Sequence, residues 1–313
     1  MKIVFLDADT VGDVPNLDRL KELGDVTFYP VTKPEETKER IKEAEVVITN
    51  KVVLDESLIQ SADSLKLICV AATGMNNIDR KAAESAGVEV KNVSGYASGS
   101  VAQTTFAMLF HLMQPINYYD EFVKSGDYSK HPIFTNMGVN YHELSSMQFG
   151  IIGLGDIGSR VAQIAEAFGA DVTYHSTSGK NLDQPYRHME LNELLKTSDV
   201  VSIHAPLNEN TDGLIGMDEL KLMKRSAYLL NTGRGGIVIE QDLAKALDEE
   251  LIAGAGLDVF EEEPMNPDNP LLSVQNTDRL VMTPHVAWAS VEARTELMNG
   301  VIGNIREYQE KTE

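Results

Sequence analysis

Short runs of β-branched and aliphatic residues alternate with amphipathic stretches along almost all of the 313 residues, and that alternation narrows the fold more than any other feature. Ile3–Leu6, Val26–Tyr29, Val46–Thr49, Leu67–Ala71 and Val88–Asn92 read as strands. Helical spacing falls between them, over Asn16–Leu23, Glu35–Ala44, Glu56–Ser61 and Asp79–Ala86. Strands separated by helices cannot pair as hairpins, so the pattern predicts α/β architecture with parallel sheets covered on both faces. The alternation breaks once. Ser100–Met113 reads as a long apolar helix with no strand before it, and Asn117–Ser146, rich in aromatic and polar residues, as irregular chain. Alternation resumes at Gln148, with strands at Phe149–Gly153, Val172–His175, Val200–His204, Tyr228–Asn231, Gly254–Leu257 and Leu280–Thr283. Ala289–Tyr308 is helical in period. Two α/β units are expected, joined near residue 100 and again near residue 286.

Composition removes several function classes. A hydrophobic share of 42% supports two cores, at about 150 residues per domain. The apolar runs are too short for a bilayer span. The chain opens directly on a strand-like run, so no secretory leader is expected. A single cysteine, Cys69, excludes an internal disulfide, and together these features point to the cytoplasm. The formal charge of −21 repels nucleic acid and anionic membranes, so neither is expected as a partner. An anionic small molecule would therefore need local positive charge in its cleft, which draws attention to arginines in glycine-rich loops.

Gly153-Leu154-Gly155-Asp156-Ile157-Gly158 follows a strand-like run and opens a helix, Ser159–Phe168. Glycines at this spacing permit a tight turn, close approach of a pyrophosphate and close helix–strand packing, and the helix N-terminus offers unpaired N–H groups to phosphates. This context predicts dinucleotide binding. The next strand ends in Tyr174-His175-Ser176-Thr177-Ser178-Gly179-Lys180, without the acid that usually accepts from a ribose 2′-hydroxyl. Ser176, Thr177 and Lys180 could hold a 2′-phosphate instead, so NAD(H) and NADP(H) both stay open. No metal site is expected.

Asn231-Thr232-Gly233-Arg234-Gly235-Gly236 ends another strand. Its slim backbone presents a planar guanidinium suited to a carboxylate. Downstream lie Asp258 and Glu263, in Leu257–Pro264, and His285, in Thr283-Pro284-His285-Val286-Ala287-Trp288. A carboxylate behind an imidazole favours its charged form and fixes its orientation, so His285 with Glu263 is a candidate proton donor. Taken singly, His111, His131, His142, His175, His188 and His204 read as structural or solvated.

Together with Ala72-Thr73-Gly74-Met75-Asn76-Asn77-Ile78-Asp79, Ser100-Val101-Ala102-Gln103 and His204-Ala205-Pro206-Leu207, these motifs resemble the D-isomer-specific 2-hydroxyacid dehydrogenase family over most of the chain. In Thr49–Val52, Ala72–Asp79 and Thr283–Ser290 they are closest to its glycerate dehydrogenase, or hydroxypyruvate reductase, branch. The resemblance implies a flavodoxin-like substrate domain, 1–98 plus 287–313, with a Rossmann dinucleotide domain, 99–286, inserted into it. It further implies hinges at the helices near 100–113 and 287–308, and a homodimer. Arg234 would bind the substrate carboxylate and polarise the 2-oxo group, His285 would supply the proton, and Glu263 would pair with His285. Lys51, Gly74, Met75 and Trp288 would contact substrate. Gly153, Gly155, Asp156, Ile157, Gly158, Pro206, Thr232 and Asp258 would line the coenzyme groove. The implied reaction is reduction of a small 2-oxo acid, hydroxypyruvate or glyoxylate, to the D-2-hydroxy acid. Two alternatives stand beside it: the same scaffold acting on D-lactate, phosphoglycerate or phosphite, and a dinucleotide-sensing binding protein without catalysis.

Overall fold

A computed structural model of the chain describes residues 1–312, which fold as two compact units, 1–97 with 288–312, and 98–287. In the first, strands β1 (Lys2–Phe5), β2 (Asp25–Phe28), β3 (Val46–Thr49), β4 (Leu67–Val70) and β5 (Glu89–Asn92) form one parallel sheet in the order β2-β1-β3-β4-β5. Helices α1 (Pro34–Ile41), α2 (Glu56–Gln60) and α3 (Arg80–Ser85) connect the strands, and the C-terminal helix α10 (Val291–Thr312) returns to the same sheet. Strand alternation explains why both faces are covered. Ile3 and Phe5 pack with Leu297, Val301 and Ile305 of α10, whereas Val4 and Leu6 pack with Ile41 and Ile59 on the opposite side.

One expected helix takes a different form. Leu17–Glu22 is a 3₁₀ helix, not part of an α-helix over Asn16–Leu23. Leu17, Leu20 and Leu23 are spaced by three, the period at which 3₁₀ side chains eclipse, and a single face is all this segment presents to the core.

The second unit begins with α4 (Ser98–Met113) and α5 (Ile116–Lys124). It continues with β6 (Gln148–Ile152), α6 (Asp156–Ala167), β7 (Asp171–His175), β8 (Arg187–His188), α7 (Leu191–Thr197), β9 (Val200–Ile203), α8 (Met217–Leu222), β10 (Tyr228–Asn231), α9 (Glu240–Asp248), β11 (Gly254–Leu257) and β12 (Leu280–Met282). All the pairings are parallel, in the order β12-β11-β10-β9-β6-β7-β8. Phe106 and Leu109 of α4, with Val161 and Ala165 of α6, cover one face; Leu194, Leu220 and Leu243 of α7, α8 and α9 cover the other. From β6 the chain first runs outward through β7 and β8, then crosses back to β9 and continues the opposite way. Loops at the carboxyl ends of β6 and β9 therefore diverge and leave a crevice at this switch point. The helix α5 lies inside the segment expected to be irregular. None of its residues is fully buried, although Ile116, Tyr119, Phe122 and Val123 recur at helical spacing.

Candidate active site

The glycine loop sits at the switch point, between β6 and α6. Gly153 has φ +91°, a left-handed conformation, and Gly158 lies so close to the β6 turn that a Cβ on it would meet the Gly153 carbonyl oxygen. The fold itself requires both. Gly155 differs. Its φ is −88°, open to any residue, and a Cβ added there would meet nothing within 4 Å. Nothing among the described residues requires glycine at 155, whereas a pyrophosphate lying on the N-terminus of α6 would occupy that space. On this observation the loop fits a dinucleotide.

The chain leaving β7 is fastened over this loop. Asn181 Nδ2 donates to the Leu154 carbonyl at 2.7 Å, the Asn181 N–H reaches Ser176 Oγ at 3.4 Å, and Tyr174 donates to the Asn181 carbonyl at 3.0 Å. Ser176 is thereby buried at the strand end, while Thr177 is partly exposed and Lys180 exposed. Asn181 was not among the expected site residues. Its side chain gains a role only because the loop folds back across the glycine turn.

Arg234, Glu263 and His285 follow β10, β11 and β12, three neighbouring parallel strands spaced about 4.8 Å apart, so all three emerge along one edge of the sheet. His285 Nδ1 lies 2.6 Å from Glu263 Oε2. Glu263 is itself oriented, since its other oxygen accepts the Phe260 N–H at 3.1 Å. Arg234 is partly buried and donates to the Gly233 carbonyl at 2.7 Å. Among the described residues no carboxylate pairs with it. A partly desolvated guanidinium without a counter-ion is a ready anion site.

His285 has φ +52°, a left-handed conformation that costs a non-glycine residue about 1–3 kcal/mol. Asp258, expected at the coenzyme, holds this bend. Its carboxylate accepts Thr283 Oγ1 at 2.5 Å and the N–H groups of Val286 and Ala287 at 2.9 Å, and its carbonyl accepts the His285 N–H at 2.8 Å. Bonds to a charged acceptor contribute about 1.5–3 kcal/mol each, enough to outweigh the strain. Burial pushes the Asp258 carboxyl upward, and the bonds from Thr283, Ala287 and Val286 pull it back.

Of the remaining expected residues, Pro206 is exposed after β9, and its carbonyl accepts Thr211 Oγ1 at 2.7 Å. Thr232 is buried at the end of β10. Asp156 and Ile157 open α6. Lys51, Gly74, Met75 and Trp288 belong to the first unit. The Lys51 N–H donates to buried Asp7 at 2.6 Å, and the same carboxylate collects the N–H groups of Asn50 and Val52. Trp288 stands edge-on to Tyr96, with ring centroids 6.3 Å apart. Among the described residues no cluster of His, Cys, Asp and Glu could hold a metal, and no helix is long and apolar enough to cross a membrane.

The family model for the D-isomer specific 2-hydroxyacid dehydrogenase, NAD binding domain, matches residues 106–287. The hydroxypyruvate reductase of Blautia hydrogenotrophica is 34% identical over 315 residues, covering 98% of this chain and 97% of its own length. The glycerate dehydrogenase of Methylorubrum extorquens is 35% identical over 311 residues, with coverages of 98% and 96%. Among solved structures, an acyclic imino acid reductase in complex with NADPH and D-Arg superposes with a TM-score of 0.85 at 29% identity, over 99% of this chain and 98% of that one.

Proposed function

Because the chain belongs to the D-isomer-specific 2-hydroxyacid dehydrogenase family, we propose that it reduces hydroxypyruvate or glyoxylate to the D-2-hydroxy acid, using Arg234, Glu263 and His285. It is an NAD(P)-dependent oxidoreductase acting on the CH–OH group of donors. One observation carries the choice of residues: a His–Glu pair at 2.6 Å on the same sheet edge as a guanidinium that no carboxylate among the described residues neutralises.

When bound, the nicotinamide coenzyme supplies the hydride. Gly153, Gly155, Asp156, Ile157 and Gly158 would hold its pyrophosphate, and Ser176, Thr177 and Lys180 would hold its adenosine end. Pro206, Thr232 and Asp258 would line the rest of the groove. The chain's own residues do the remainder. Arg234 takes the substrate carboxylate through its planar fork and draws electron density from the 2-oxo oxygen. His285 delivers a proton from Nε2 to that oxygen as negative charge develops there, and takes it back in the reverse direction. Glu263, bonded to Nδ1, keeps the ring oriented and offsets its positive charge. Lys51, Gly74, Met75 and Trp288 are the substrate-contacting residues we assign to the first unit.

We further infer a cytoplasmic homodimer that binds neither nucleic acid nor membrane. The acidic surface supports the latter exclusions. Support for the dimer comes from residues 116–141, where Ile116, Val123, Ile133, Phe134 and Met137 are all more than half exposed. Five charged residues in this stretch nearly cancel, two pairs of them bridged as Lys124–Asp120 and Lys130–Asp127. An apolar, nearly neutral surface on a chain of charge −21 is where a second copy could approach with least repulsion.

The test is loss of NADH or NADPH absorbance with hydroxypyruvate, glyoxylate and pyruvate. Rapid oxidation with either of the first two is expected. Coenzyme binding without oxidation by any of the three would defeat the reading and favour the binding-protein alternative.

A further inference from the structure

The mechanism leaves one enclosed imidazole unused. His204 follows β9, where its Nε2 lies 2.8 Å from Ser202 Oγ and its Nδ1 3.3 Å from Thr232 Oγ1. Thr232 Oγ1 is 3.2 Å from Thr105 Oγ1, and Thr105 Oγ1 is 2.8 Å from the Val101 carbonyl oxygen in α4. Ser202 and Thr105 are fully buried and Thr232 nearly so. His204 retains some exposed surface, yet both ring nitrogens are engaged inside.

The far end of this chain dictates the direction of every bond in it. A carbonyl oxygen only accepts, so the one hydroxyl proton of Thr105 goes to Val101. Thr105 must then accept from Thr232, which uses the one proton of Thr232. His204 Nδ1 must therefore carry hydrogen and donate to Thr232. A neutral imidazole has a single N–H, so Nε2 is bare and accepts from Ser202. Burial, with no charged partner, pushes the His204 pKa down to about 3, which leaves the ring neutral at physiological pH.

We propose that His204 is a positioning residue which, through this one-way chain from Ser202 to α4, pins Thr232 and so fixes the loop that carries Arg234. The loop is clasped from its other side as well: Asn231 Nδ2 donates to the Arg234 carbonyl at 2.9 Å, and the Gly233 N–H donates to Asn231 Oδ1 at 3.1 Å. Held on both sides, the short stretch between Asn231 and Arg234 has little freedom, and a guanidinium displaced by about 1 Å can lose ~100-fold in rate. The proposal rests on Arg234 receiving the substrate carboxylate.

Two measurements test it. In long-range ¹H–¹⁵N spectra of the full-length protein, His204 should appear as the Nδ1–H tautomer and should not titrate between about pH 5 and 8. The His204→Asn spectrum identifies the resonance. An Nε2–H tautomer, or a ring that titrates in that range, would overturn the hydrogen-bond assignment. In kinetics, His204→Leu should raise KM for the 2-oxo acid about tenfold or more, with a smaller fall in kcat and coenzyme affinity kept. His204→Asn retains an N–H donor near the Nδ1 position and should restore KM to within about threefold of wild type. Thr232→Val should raise KM for the 2-oxo acid as leucine does, measured at saturating coenzyme because Thr232 is also assigned to the coenzyme groove, and decides the matter if His204→Leu does not fold. An unchanged KM in Thr232→Val, or an asparagine variant as impaired as leucine, would remove His204 from this role. An inactive wild type would count against Arg234 as the carboxylate site while leaving the tautomer result to stand by itself.

Discussion

His285 combines a left-handed backbone with a side chain that must point one way, and two carboxylates serve these needs separately. Asp258 holds the bend, and Glu263 holds the ring. The two should therefore fail differently. His285→Ala should lower kcat by about 10²–10⁴ while leaving coenzyme affinity intact, as measured by fluorescence titration. Asp258→Ala leaves the N–H groups of Val286 and Ala287 without their acceptor, at about 1–3 kcal/mol each, so it should lower Tm as well as kcat. Equal Tm in the two variants would contradict this division. The residue types of the proposed site were legible in the sequence, because a guanidinium between glycines and a histidine with a carboxylate partner suit proton donation beside a bound anion. Their meeting was not legible. Glu263 and His285 are 22 positions apart, and only the register of β11 against β12 brings them to contact. Asp258 as the clasp of the His285 bend, and the bonds joining Ser202, His204, Thr232 and Thr105, were hidden for the same reason: each depends on which strands and helices become neighbours.

Among the elements, the turn from β6 into α6 separates what the fold needs from what a ligand needs. A methyl at Gly158 would collide with the Gly153 carbonyl, whereas a methyl at Gly155 would enter open space. Gly158→Ala should lower Tm sharply, since overpacking against backbone costs about 1–3 kcal/mol or more. Gly155→Ala should lose only the small difference between these residues at an N-cap, yet raise the coenzyme Kd about tenfold or more. Calorimetry and a coenzyme titration on the two variants separate the effects, and a Gly155→Ala protein with wild-type Kd would put the pyrophosphate elsewhere. If Ser176 at the end of β7 meets the adenosine ribose, as proposed, Ser176→Asp should shift kcat/KM toward NADH. The parallel strands were readable because burial on both faces leaves unbroken aliphatic runs, as in Val46–Thr49. The two-residue strand Arg187–His188 is too short to carry any period, and α5 carries its helical period over only nine residues, between Pro115 and Gly126.

For the whole molecule, the question is how a chain of net charge −21 keeps an apolar stretch such as 116–141 from indiscriminate association. Long-range repulsion between like-charged copies slows every encounter, and only an encounter that buries enough apolar surface overcomes it. Phe134 and Met137, 88% and 76% exposed, are the largest contributions available in that stretch. If they form a self-interface, each symmetric contact places both residues of both copies in one buried patch, so a single substitution acts twice. Light scattering at physiological salt should then give twice the chain mass. Phe134→Glu should give the monomer mass, because it buries two uncompensated charges at once. Salt supplies the discriminating control. Screening shortens the reach of the repulsion to about 8 Å at physiological ionic strength, so a hydrophobic dimer should tighten as salt rises, whereas one held by ion pairs would loosen. A wild-type mass equal to one chain at micromolar concentration and high salt would show that the 116–141 surface does not serve self-association.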